Sequence, residues 1–260
     1  MSDPKIATTL ASGKRFYTLL GENYWSVTTI LGAVPKRALI YWAANETAAY
    51  ALENLDTLKR LHEDDPDGAY DLLKRSPWRK RDKAADLGTH IHEATQAHVL
   101  GKPFPEWPLV IRPRMDAFAQ FLSDYQPEYE AAMTEVGVFN RTQRYAGTLD
   151  AIVTIGGRKL LIDMKTGGKQ IYPETALQLA AYRHAEFVAL PDGSQVPMPG
   201  TDGAAALHLP EAGGYELVDV DAGPDIFQFF LYWREGFRWL EERSKTVIGG
   251  TVPLPVGSAA

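Results

Sequence analysis

The sequence predicts an α/β fold: a mixed central β-sheet flanked by helices, with an N-terminal helical extension. Three observations carry that expectation. Apolar residues recur at helical spacing up to about residue 127, the period shortens to that of strands between about 130 and 190, and a strongly aromatic helical segment lies near the end. A length of 260 residues fits one elaborated domain, divided into a helical region (1–127), a core packed with it (128–248) and a flexible tail (249–260).

The elements follow in order. Ala38, Leu39, Ile40, Tyr41 and Trp42 begin a helical pattern that continues through Ala49, Leu52, Leu55, Leu58 and Leu61. Asp64-Asp65-Pro66-Asp67-Gly68 breaks it, and Pro66 suits the first turn of the next helix. Pro77 is placed to start a further helix running to Leu100, closed by Gly101. Met115, Phe118, Phe121, Leu122 and Tyr125 mark another, stopped before Pro127. Residues 135–139, 147–155 and 158–165 read as three strands, the last two joined by the two-residue turn Gly156-Gly157. A helix over 174–190 follows, with Leu177, Ala180, Ala181, His184 and Val188 for its apolar face. After a Gly/Pro-rich loop (191–203) come short strands at 204–209 and 215–220. The helix over 225–243 should bury Phe227, Phe230, Leu231, Trp233, Phe237 and Leu240.

Composition narrows the functional classes. The chain has no cysteine, which excludes disulfides, Cys-ligated zinc and Cys-ligated iron–sulfur clusters. The net charge of −6 argues against a protein coated in basic surface. No apolar run approaches the roughly 18 residues of a membrane span, and the N-terminus lacks the apolar run of a secretory signal. A soluble, cytoplasmic protein is expected, with no membrane partner. No Gly-x-x-x-x-Gly-Lys-Ser/Thr occurs, so no bound nucleotide is expected either.

The chemistry concentrates in the hairpin. With Gly156-Gly157 as the turn, Ile155 pairs with Arg158, and Asp150 falls opposite Asp163 with Lys165 on the same face. Leu149, Ala151, Val153, Ile155, Leu160, Ile162 and Met164 take the other face, as core. Two carboxylates about 5 Å apart repel by roughly 3 kcal/mol at an effective dielectric near 20. A lysine offsets part of that, and a divalent cation such as Mg²⁺ or Mn²⁺ more. The alternative is an Asp–Lys–Asp pair on a solvated sheet face.

Gly147-Thr148-Leu149-Asp150, then Leu161-Ile162-Asp163-Met164-Lys165-Thr166-Gly167, then Gln178-Leu179-Ala180-Ala181-Tyr182 resemble the PD-(D/E)XK nuclease superfamily, and within it the RecB-like, phage-type exonucleases. Gly88-Thr89-His90-Ile91-His92 matches the upstream Gly-Thr-x-x-His motif, and the stretch Tyr24-Trp25-Ser26-Val27-Thr28-Thr29-Ile30-Leu31 also looks like phage members. The motifs run in family order over residues 88–182, about a third of the chain.

The resemblance implies a restriction-endonuclease-like core. It also implies a metal site of His92, Asp150, Asp163 and the Met164 carbonyl. Lys165 would position water and stabilise charge on the reacting phosphate, with Gln178 and Tyr182 beside it on one helical face. Glu135 could join the site from the first strand, but a strand-end carboxylate is more often just exposed, and it stays outside that ligand set. Mg²⁺ or Mn²⁺ is the implied cofactor. The four-cysteine iron–sulfur cluster of many relatives has no ligands here.

Residues 74–83 carry +5, leaving −11 on the other 250. Within them Arg75, Arg79, Lys80 and Arg81 suit DNA phosphates and Trp78 an unpaired base; the alternative is a solvated helix turn with a buried Trp78. The implied function is exonucleolytic hydrolysis of linear DNA ends in phage-type replication or recombination, in the host cytoplasm if phage-encoded. A separate recombinase, single-strand-binding protein or helicase would be its partner. A structure-selective or restriction-like endonuclease, or a nuclease-derived DNA-binding subunit that no longer cuts, are the alternatives.

Overall fold

The computed structural model describes residues 7–10, 13–102, 108–168, 170–190 and 192–252. Its sheet is organised around β5 (Tyr145–Ile155). Along one edge, β5 pairs antiparallel with β4 (Glu128–Asn140). On the other edge the partner changes. Ala146 pairs with Ser26 of the parallel strand β3 (Glu22–Ser26), whereas Ala151 to Ile155 pair with the antiparallel strand β6 (Arg158–Lys165). Beyond β3 lie β2 (Arg15–Leu19) and β1 (Ala7–Thr9); beyond β4 lie β7 (Phe187–Ala189) and β8 (Gln195–Pro197). Parallel β9 (Gly203–His208) and antiparallel β10 (Glu216–Val220) extend the β6 side. The sheet is therefore mixed, as its sequence predicts.

Both faces are covered, which explains the near-continuous apolar runs of β5 and β6. One face packs on α1 (Val27–Leu31), α6 (Glu174–Arg183) and α7 (Pro224–Glu241) through Ile30, Leu179, Ala180, Phe230 and Phe237. The other packs on the C-terminal half of α4 (Pro66–Val99) and on α5 (Arg112–Tyr125) through Ile91, Ala94, Met115, Phe118 and Phe121. The remaining helices, α2 (Arg37–Glu53) and α3 (Leu55–Asp64), pack on the N-terminal half of α4 as an arm. α2 has no buried residue.

Several expectations change. Residues 15–26 form a hairpin of the central sheet, not part of a helical region; Leu20 and Gly21 both have positive φ, the backbone of a tight two-residue turn. Pro77 lies inside α4 and does not begin a helix. It has no N–H for the carbonyl of Leu73, but the neighbouring Ser76 hydroxyl donates to that oxygen at 2.8 Å and keeps it satisfied. The long N-terminal pattern divides at Asn54 into α2 and α3. α6 ends at Arg183, where Asn140 Nδ2 donates to the carbonyl of His184, and Val188 enters the sheet as part of β7. Leu240 of α7 is half exposed instead of core. The tail beyond residue 252 lies outside the described residues.

Gly147 shows why glycine precedes Asp150 by three. A Cβ there would stand 2.3 Å from Tyr182 Cε1, so the α6 tyrosine lies directly on the β5 backbone. Gly147→Ala should therefore destabilise the fold by about 1–3 kcal/mol, the usual cost of overpacking. Urea denaturation measures this, and an unchanged midpoint would mean that Tyr182 moves aside freely.

Candidate metal centre

The site lies where β5 changes partner. Its register with β6 follows the predicted pairing from Ile155–Arg158 to Ala151–Ile162 and stops there. Asp150 is thus not laddered to Asp163. Its Oδ2 instead accepts the N–H of Met164 at 2.6 Å, the side chain taking up a strand donor where pairing ends.

The alternation of β5 also reverses at this point. Leu149 and Ile152 face α6 and α7, while Ala151 and Val153 face α4 and α5, so Leu149 does not share a face with Ala151 as the simple pattern required. On the neighbouring strand Glu135, between the paired residues Thr134 and Val136, has φ +52°. A left-handed glutamate is uncommon and costs free energy, and such strain concentrates at functional positions. The two irregularities turn Glu135 and Asp150 into one small cavity of about 30 Å³, bordered by Thr134, Ala151, Ile162 and Met164.

His92 reaches this pair from α4. Its Nδ1 lies 3.4 Å from Glu135 Oε1 and 3.6 Å from Asp150 Oδ2. Potential ligand atoms of His92, Glu135 and Asp150 all fall within 4.8 Å of one another. Asp163 is 3% exposed and belongs to a second, adjoining set on the α6 side. Lys165 Nζ sits 2.8 Å from Asp163 Oδ2 and donates to Gln178 Oε1 at 3.0 Å. Gln178 Nε2 donates to Asp163 Oδ1 at 2.7 Å and approaches the Tyr182 hydroxyl at 3.3 Å.

The structure thus brings together His92, Asp150, Asp163, Met164, Lys165, Gln178 and Tyr182, in two sets, and adds Glu135. Sequence periodicity misses Glu135 because its orientation depends on a left-handed residue within a strand.

Burial opposes a charged His92, but Asp150 and then Glu135 and Asp163 outweigh it and raise its pKa to about 9. Burial raises Asp150 to about 7, against the attraction of His92 and with further repulsion from Asp163 and Glu135. The donor set, one imidazole and carboxylates, suits a divalent ion such as Mn²⁺ more than an all-oxygen magnesium cage. Asp163 Oδ2 is buried without a hydrogen bond of good geometry despite its lysine neighbour, so it has coordinating capacity left.

The basic segment is on the arm. Its last residue, Lys83, precedes His92 by nine residues on α4, about 13 Å along the axis. Three of the segment's charges have ion-pair partners: Arg75 with Asp71, Lys80 with Glu46, Arg81 with Asp82. Arg79 lies over Tyr50 and Arg81 over Trp78, which packs edge-on against Trp42 and is 40% exposed. These pairs are solvated and weak enough to exchange for phosphates.

No protein-family model matches the chain, and no curated protein matches it. Among solved structures, the crystal structure of SSO0001 is similar over 51% of this chain and 59% of its own, at 15% identity and a TM-score of 0.31. The chain therefore matches less than two thirds of that protein's length, and a likeness at this level carries no functional argument. No helix among the described residues is long and apolar enough to cross a membrane.

Cation binding must displace protons from His92 and Asp150. Mn²⁺ affinity should consequently rise with pH, steeply through about 7 as Asp150 ionises and further towards about 9 as His92 loses its proton. In the metal-free protein the sign is opposite for His92. Its raised pKa contributes stability below about 6.5 that is lost as pH climbs through about 9. Thermal melts with and without Mn²⁺ at about pH 6, 7.5 and 9 measure both, and a metal-induced shift that shrinks as pH rises would contradict the assignment.

Proposed function

We propose that this chain is a metal-dependent deoxyribonuclease of the PD-(D/E)XK superfamily, RecB-like and most simply an exonuclease acting on linear DNA ends. The observation that carries this reading is the convergence of one ordered motif set. Asp150, Asp163, Met164, Lys165, Gln178 and Tyr182, with His92 from a separate helix, meet where β5 changes partner. Asp–Lys pairs on a solvated sheet face do not need a half-buried glutamine joining them; here Gln178 contacts both members.

His92, Glu135 and Asp150 would hold a divalent cation, with Asp163 joining as it releases Lys165. A cation there would supply Lewis acidity and a bound water of lowered pKa. Freed from Asp163, the Lys165 ammonium is the fixed positive charge available to the phosphate as negative charge builds on its oxygens. Gln178, hydrogen-bonded to both, holds the lysine and the aspartate in register through the exchange. Burial pushes the Tyr182 phenol well above its ordinary pKa, so it stays a neutral phenol beside Gln178. The arm's basic residues and Trp78 would meet DNA away from the cut. A recombinase, a single-strand-binding protein or a helicase would then be a separate chain, and the cytoplasm, where such DNA is processed, the place of action.

End-labelled linear duplex with Mn²⁺ or Mg²⁺ tests this directly. Digestion is expected, abolished by EDTA and by Asp163→Ala, with Lys165→Ala lowering kcat roughly 10²–10³-fold. Closed circles should survive; their cleavage would indicate an endonuclease. DNA binding without turnover in Mn²⁺ would indicate a non-cutting subunit, and digestion that persists in EDTA would overturn the reading.

A further inference from the structure

A buried arginine stands at the end of the strand that carries Lys165. Arg114, the third residue of α5, is 5% exposed. Its Nε donates to the carbonyl of Thr166, the residue after Lys165, at 3.3 Å. Among the described residues its one ion-pair partner is Glu211, whose carboxylate lies 3.9 Å from Nη2 and whose side chain is 90% exposed. A solvated carboxylate at that distance offsets little of the cost of burying a guanidinium. A buried charge normally has a close, hydrogen-bonded counter-ion; this one does not.

A second observation points the same way. The first turn of α5 holds Arg112 and Arg114 and no acidic residue. The positive end of a 14-residue helix is thus loaded with more positive charge, the reverse of the stabilising arrangement and one that favours an anion. Thr166 also connects this place to the metal centre. Its Oγ1 lies 3.1 Å from where a Cβ on Gly88 would stand, and Gly88 precedes His92 by about one turn of α4. Arg114 is therefore beside the metal centre without being part of it.

We propose that Arg114 binds a DNA backbone phosphate next to the one hydrolysed, and that Glu211, whose carboxylate faces Nη2 without hydrogen-bonding it, screens that charge until the phosphate displaces it. This rests on the nuclease reading and adds a subsite to it. A planar guanidinium matches phosphate with two parallel hydrogen bonds, which lysine cannot reproduce. Glu211 acts as an intramolecular competitor, so the two residues should have opposite effects on DNA affinity. An arginine that merely fastens the Thr166 loop would show no such opposition.

The test is fluorescence anisotropy of the full chain with labelled duplex DNA in EDTA, across salt concentrations. Arg114→Met should weaken binding about tenfold and reduce the log–log salt slope by about 1, as one phosphate is no longer neutralised. Arg114→Lys keeps the charge but not the two parallel hydrogen bonds, and should weaken binding about as much with less change in slope. Glu211→Gln, an exposed change that leaves the fold intact, should tighten binding roughly two- to fivefold. That gain should vanish in the Arg114→Met background, because the two effects are coupled. Unchanged affinity in Glu211→Gln, or a gain that persists without Arg114, overturns the subsite while leaving the nuclease reading in place, and the Glu211→Gln result decides even where Arg114→Met fails to fold. A wild-type chain that binds no DNA overturns both.

Discussion

Between Ala146 and Ala151, one edge of β5 passes from a parallel partner, β3, to an antiparallel partner, β6. A strand edge in transition leaves backbone groups to satisfy and side chains free of neighbours. Asp150 answers the first need by accepting the Met164 N–H, and that bond fixes where its other oxygen points. Gly147 answers the second by letting Tyr182 rest on bare backbone. The candidate metal ligands His92, Glu135 and Asp150, the lysine and the α6 residues are all arranged around this gap. A sheet with one continuous partner along β5 would bury Asp150 in a ladder and have no site.

The two acidic sets keep each other in check. Asp163 is held by Lys165 and Gln178, while Asp150 and Glu135 share His92. Each carboxylate therefore has a cation or donor within the chain itself. Holding the imidazole protonated and the Asp150 carboxyl partly so lets the site fold without paired bare charges.

Much of this arrangement is legible in the sequence. The Gly156-Gly157 turn predicts the β5–β6 register from Ile155–Arg158 to Ala151–Ile162, since both residues have the positive φ that a two-residue turn demands. The predicted Asp150–Asp163 pair, however, falls beyond the end of the ladder. What the sequence hides has local causes. A period of two cannot register a reversal within a strand, so it misplaces Leu149 and passes over Glu135, whose left-handed backbone lies inside the sheet. The 15–26 hairpin goes unnoticed because its turn, Leu20-Gly21, lacks the asparagine or aspartate that advertises such turns. Pro77 reads as a helix start because proline usually interrupts a helix; Ser76, one residue away, supplies the donor that the proline lacks. Residues 187–189 become a strand because the edge of β4 is there to pair with them, which no local pattern reports.

The uninterrupted passage of α4 through Pro77 has a mechanical meaning. At 34 residues the helix is a rod about 50 Å long, with the arm at one end and His92 near the other. The basic segment and the imidazole therefore share one rigid axis, with no loop between them to absorb a displacement. A tilt of about 10° at the proline would carry the far end of the arm by roughly 3 Å over the 11 residues before it. Ser76, by satisfying the carbonyl that Pro77 leaves free, keeps the helix continuous between the arm and His92.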